Sequence, residues 1–189
     1  MSRLPLAEPT PGSDPAPLKL FRMVAHAETA YGPWLGYGGA LLTQLELDPL
    51  LRELAILQVA RQVGSHYEWV QHDPIARAVG ATGAQIDAIQ AGRDDDAAFD
   101  ADQSLVLRFT RTTVNEGAAS EEQVAEAAER LGARQVVELL LVIGNYTAIA
   151  MLIASTGLEP DAPLDAEQLT RVRDGVAGDQ PTSGGGPGA

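Results

Sequence analysis

An all-α fold, a compact bundle of about eight helices, is predicted by three observations. Apolar residues recur at steps of three and four through almost all of residues 18–158, no segment alternates as a strand would, and the gaps between periodic stretches carry helix-capping residues. The first helix spans Leu18–Ala30, with Leu20, Val24 and Ala27 on one face, and the second Pro33–Leu45, the two separated at Tyr31-Gly32. Asp48-Pro49 opens the third: Asp is a good N-cap, and proline is pre-set for the first helical position. This helix reaches Val63 and stops at Gly64, which tolerates the left-handed backbone of a C-cap. A fourth, Ser65–Val79, ends at Gly80, and Pro74 inside it should kink it or restrict its regular hydrogen bonding. Thr82 starts a short fifth helix that ends at Gly92, and Arg93–Asp96 reads as a solvated turn. Asp100 caps a sixth, running to Asn115. Ser120-Glu-Glu-Gln123 is a capping box for a seventh that ends near Leu131-Gly132, and the eighth, Arg134–Thr156, stops at Gly157. The two most apolar helices, Pro49–Val63 and Arg134–Thr156, should form the centre of the bundle.

Around this single domain, placed at residues 18–175, the flanks read differently. Residues 1–17 form a Pro-rich arm, disordered or draped over a neighbour, and residues 176–189 a flexible Gly/Pro-rich tail. The arm has no apolar core of signal-peptide length. The apolar run Val136–Ala154 is interrupted by Glu138 and Asn145, which fits a buried helix of a soluble protein better than a membrane span. A cytoplasmic location is therefore expected.

Composition removes several mechanisms. The chain has 189 residues, no cysteine, and 13 Lys and Arg against 26 Asp and Glu, a net charge of −13. Without thiols there is no disulfide framework, cysteine nucleophile or thiolate metal site. With Lys19 as its only lysine the chain lacks the clustered cations that nucleic acid requires, and acidic membrane surfaces would repel it.

The chemistry-bearing stretch is 52–80. Glu68 and His72 stand four apart, so on one helix they share a face, and Ser65 joins that face at the helix start. A carboxylate beside an imidazole favours its charged form and fixes its tautomer, and such a pair can move a proton near neutral pH. The same spacing also describes an ordinary surface pair worth a few tenths of a kcal/mol. Glu53, on the preceding helix, is positioned to approach His72 as a second carboxylate. Trp69 flanks the pair. His26, Trp34 and Tyr37 on the first two helices, and Asn145 and Tyr146 on the long apolar one, are candidates for a pocket lining; for Trp34 and His26, structural packing is the competing reading. His66 should face away.

Arg52-Glu53, Gly64, Tyr67-Glu68-Trp69, Gln71-His72, Ala76 and Gly80 together resemble the core of the carboxymuconolactone decarboxylase / alkylhydroperoxidase D-like family. Val24-Ala25-His26 and Pro33-Trp34-Leu35 extend the likeness over about residues 18–158. In the peroxidase branch the resemblance implies Glu, eleven residues, Cys-x-x-Cys, three residues, His; the corresponding positions here are Glu53, Ser65, Glu68 and His72. The frame is kept without its sulfurs, which disfavours an alkylhydroperoxidase-like antioxidant. The likeness to the decarboxylase branch, with Glu-x-x-x-His, implies proton chemistry with His72, Glu68 and Glu53 as catalytic residues and Ser65, Trp69, His26, Trp34, Tyr37, Asn145 and Tyr146 near the substrate. The expected function is a cofactor-free acid/base enzyme, foremost a decarboxylase or a related lyase, isomerase or cyclase, acting on a small lactone or oxo acid. It needs no metal or organic cofactor. The alternative is a non-catalytic member that binds a small ligand or builds an oligomer. The resemblance also implies a homotrimer or homohexamer.

Overall fold

The computed structural model describes residues 2–8 and 18–162; the expected tail at 176–189 and the rest of the arm lie outside them. Among the described residues there are seven helices and no strand: α1 (Lys19–Val24), α2 (Glu28–Thr43), α3 (Pro49–Val63), α4 (His66–Ala78), α5 (Gly83–Ala91), α6 (Ala101–Glu116) and α7 (Glu121–Thr156). Four of the helix starts follow capping residues. Asp48 Oδ1 accepts from the amides of Leu50 and Leu51 at 2.8 and 3.1 Å, and Ser120 with Gln123 closes the expected box. Thr82–Gln85 and Asp100–Gln103 close two more. Gln85 Nε2 also donates to Gln103 Oε1 at 2.8 Å, tying two helix starts together.

The all-α class stands, but two boundaries differ from expectation. The last two predicted helices fall within one continuous range, α7, but the break expected at Leu131-Gly132 is present as a kink, where Gly132 has the non-helical φ of 82° and ψ of 154°. The first break lies at Ala25–Ala27 and not at Tyr31-Gly32, so α2 runs through Pro33. A proline ring normally clashes with the Cβ of the residue before it. Gly32 has none, so that clash is removed, and Pro33 leaves α2 with a missing hydrogen bond and the strain of its ring against the Thr29 carbonyl.

α3 is the axis of the molecule. Leu54, Ala55, Ile56, Leu57 and Val59 are wholly buried, and the helix is covered on every side from Leu51 to Ala60, its Arg52, Glu53 and Gln58 included. One side packs with Leu105, Val106 and Phe109 of α6 and with Leu139 and Val142 of α7. The other packs with Ala76 of α4, Ile86 and Ile89 of α5, and Phe99. By length and composition α7 is long and apolar enough to cross a membrane. Its Val136, Leu139, Val142 and Ile143 instead pack in the core, while Val137, Leu141 and Met151 stay exposed on its outer side.

Residues 2–8 lie along their own chain. The Arg3 amide donates to Thr156 O at 2.6 Å and its guanidinium to Ala154 O and Ser155 O, placing a cation where the α7 dipole is negative.

Candidate functional site

Two helices bring the acid/base groups together. Gly64, with φ 68°, ends α3 in the left-handed region, and the Ser65 amide bonds back to Ala60 O at 2.8 Å, so α4 turns onto α3. Glu53 of α3 is wholly buried and has a partner for each oxygen: Arg52 Nε donates to Oε1 at 3.0 Å, and His72 Nδ1 lies 2.8 Å from Oε2. Burial pushes the Glu53 carboxyl up, but His72 and then Arg52 outweigh it and hold it below the usual carboxylate value. A carboxylate accepts, so Nδ1 carries the proton of this bond and Nε2 is the ring nitrogen left for other work. The His72 and Tyr146 rings, the latter from α7, meet edge to face at right angles, with centroids 4.8 Å apart.

Glu68 is equally deep, at 2% exposed, and neither of its oxygens has a hydrogen-bond partner. Burial pushes its carboxyl up to about 8. Ser65 lies near enough to favour the charged form slightly, yet makes no hydrogen bond of ordinary geometry with it. Near neutral pH Glu68 is therefore mainly a carboxylic acid, able to donate. Burial, followed by the charge of Glu53, likewise raises the Tyr146 phenol far above its ordinary range, and it stays protonated.

Both Glu68 and His72 line a cavity of about 120 Å³ among α1, α2, α4 and α7. Its walls are mainly apolar: Leu20 and Phe21 of α1, Trp34 and Leu42 of α2, Ile75 of α4 and Ile149 of α7. Gln71, Asn145 and the tyrosines at 67 and 146 are the other polar groups on it. The segment after α7 holds its rim: Tyr67 donates its hydroxyl to Asp161 Oδ2 at 2.6 Å, and Gln71 Nε2 reaches Asp161 O and Ala162 O. Among the described residues no three His, Asp or Glu side chains converge as a metal site would require.

Of the residues singled out from sequence, Glu68, His72, Trp34, Asn145 and Tyr146 meet on this cavity, with Glu53 behind His72. Other expectations need correction. Glu68 does not orient His72; that partner is Glu53, because the packing of α3 on α4 brings the α3 carboxylate to Nδ1. Ser65 is buried in the turn before α4 and does not line the cavity. Trp69, next to Glu68 but a third of a turn around the helix, packs towards Leu54 and Ile86. His26 falls in the surface break between α1 and α2, its Nε2 2.8 Å from Pro5 O. Tyr37 is 40% exposed, its hydroxyl 3.4 Å from Leu141 O, because Trp34, Gly38 and Leu42 set the inward face of α2 at four-residue steps. Gln71 and Ile75 of the lining were missed, although Gln71 follows Glu68 by three residues and Ile75 follows His72 by three.

Residues 28–112 match the family model described as the carboxymuconolactone decarboxylase family. No curated protein matches the chain. Among solved structures, the fold is similar to that of an uncharacterized peroxidase-related protein from Silicibacter sp. TM1040. Its TM-score is 0.69 at 16% identity, over 84% of this chain and 93% of that one. Residues 28–112, which carry Glu53, Glu68 and His72, are thus similar to the carboxymuconolactone decarboxylase family, here without cysteine.

Proposed function

We propose that the protein is a cofactor-free acid/base enzyme, a lyase or isomerase that moves a proton on a small lactone or oxo acid held in the cavity. One observation carries this reading: Glu68, a buried acid without a partner, faces the same apolar space as an imidazole whose far nitrogen is held by Glu53. His72 Nε2 takes a proton from the carbon beside the substrate carbonyl, the C–H electron pair becomes the enolate, and Glu53 steadies the imidazolium that results. Glu68 gives its proton to the enolate at oxygen or at a distal carbon. Return of the His72 proton to Glu68 through the substrate or water closes the cycle.

The family description favours a second reading, decarboxylation. The bond to the carboxylate breaks, carbon dioxide leaves, its electron pair forms the enolate, and Glu68 protonates carbon. A thiol peroxidase cycle has no residue to run on, since the sequence contains no cysteine.

Small lactones and oxo acids incubated in heavy water with the wild type, with Glu68→Gln and with His72→Ala, and followed by NMR for deuterium uptake and for carbon dioxide release, test both readings. Either variant should lower turnover about a hundredfold to ten-thousandfold. Equal rates in wild type and His72→Ala would sink the proposal and leave a ligand-binding protein. We propose further that the exposed apolar side of α7, with Val137, Leu141 and Met151, is shared between copies in a homotrimer or homohexamer. A monomer on light scattering at micromolar concentration would refute that.

A further inference from the structure

The charge around the cavity bears on what enters it. None of its lining residues is a lysine or an arginine. Two cations on the helices around the site are already committed: Arg52 donates to Glu53, and the Lys19 ammonium lies 3.9 Å from Asp161 and donates to Pro160 O at 3.0 Å. A carboxylate entering here would leave water for a mainly apolar wall with no guanidinium or ammonium, and the one basic group on it, the His72 ring, is already matched to the Glu53 carboxylate, so the incoming ion costs several kcal/mol. The polar need of the cavity is of another kind. Both Glu68 oxygens are buried without partners, and an acid in that position lacks an acceptor.

We propose that the cavity selects an electroneutral carbonyl compound, a lactone or cyclic ketone, over a carboxylate, and holds the carbonyl oxygen by a hydrogen bond from Glu68. The inference rests on the acid/base reading and names its substrate class, favouring a proton shift over loss of carbon dioxide. The titratable and charged groups around Glu68 are His72 and Tyr67 of α4, Arg52 and Glu53 of α3, and Tyr146 of α7; α1 and α2 line the cavity without a titratable side chain.

The test is calorimetric binding of cyclohexanone and of cyclohexanecarboxylate, close in size and different in charge, to the full chain. At about pH 6 cyclohexanone should bind at least about tenfold more tightly than the carboxylate. Its affinity should fall about tenfold per pH unit above the titration of Glu68. In Glu68→Gln, whose amide still donates but does not titrate, that fall should vanish. Carboxylate binding as tight as ketone binding, or no ketone binding at millimolar concentration, would overturn the inference. The two proposals fail separately. Turnover of a carboxylated lactone with no affinity for cyclohexanone refutes the substrate class and spares the enzyme. Ketone binding with no deuterium uptake beside its carbonyl refutes the enzyme and spares the substrate class.

Discussion

Glu53 and Glu68 sit on adjacent helices at the same depth, 0% and 2% exposed, and their carboxyls move in opposite directions. Desolvation acts on both. Glu53 meets it with an imidazole and a guanidinium, one to each oxygen, whereas Glu68 meets it with apolar walls and a serine that makes no proper bond. Partners, not burial, decide which is the ion and which the acid, and the site gains one of each.

The largest expected effect tests Glu68. Its folded value, about 8, lies above the ordinary 4.5, so the folded chain binds this proton more tightly than the unfolded one. The resulting stability is fully present below the ordinary value and is lost as pH rises towards about 8. Urea unfolding across that window should register a loss of up to about 5 kcal/mol in the wild type, and Glu68→Gln should flatten the curve. Parallel curves for the two proteins would mean that Glu68 is not held as an acid.

Glu53→Ala should come next, at about 3–5 kcal/mol, because Arg52 is left buried without its acceptor and His72 loses its anchor. The sign with pH is the reverse. A depressed folded value gives stability that is present above the ordinary carboxylate value and lost as pH falls through the lowered one, so the deficit of this variant should shrink only in acid. A deficit that shrinks instead as pH rises would contradict the ion pairs of Glu53.

The smallest effect serves as the control. Asp48→Ala removes the two capping bonds at the start of α3, the helix that carries Glu53, without touching either carboxylate's surroundings. It should cost about 1 kcal/mol, with little change in the pH profile across the Glu68 window. A changed profile there would mean that the pH effects belong to the helix and not to the carboxylates.

Local chemistry in the sequence carried a good part of this. Asp48-Pro49, Gly64 and the Ser120 box marked helix ends correctly, and the spacing of Glu53, Glu68 and His72 pointed to their convergence. What failed depended on contacts between distant segments. The four-residue rule paired His72 with Glu68 because it sees one helix at a time, and the crossing of α3 over α4 is written nowhere in that interval. Glycine beside proline read as a break at Tyr31-Gly32, although the same glycine lets the helix pass. The rim at Asp161 joins Tyr67 across 94 positions, beyond any local pattern.

The kink at Gly132 divides α7 into two helical lengths of unequal size. Before it only Ala127 is buried; after it Val136, Leu139, Val142 and Ile143 anchor the second length in the core. A continuous ladder would make the two parts open together, and the break uncouples them. Amide hydrogens of residues 121–131 should exchange with solvent through local opening, well ahead of those of residues 136–150, which should exchange only when the whole bundle comes apart.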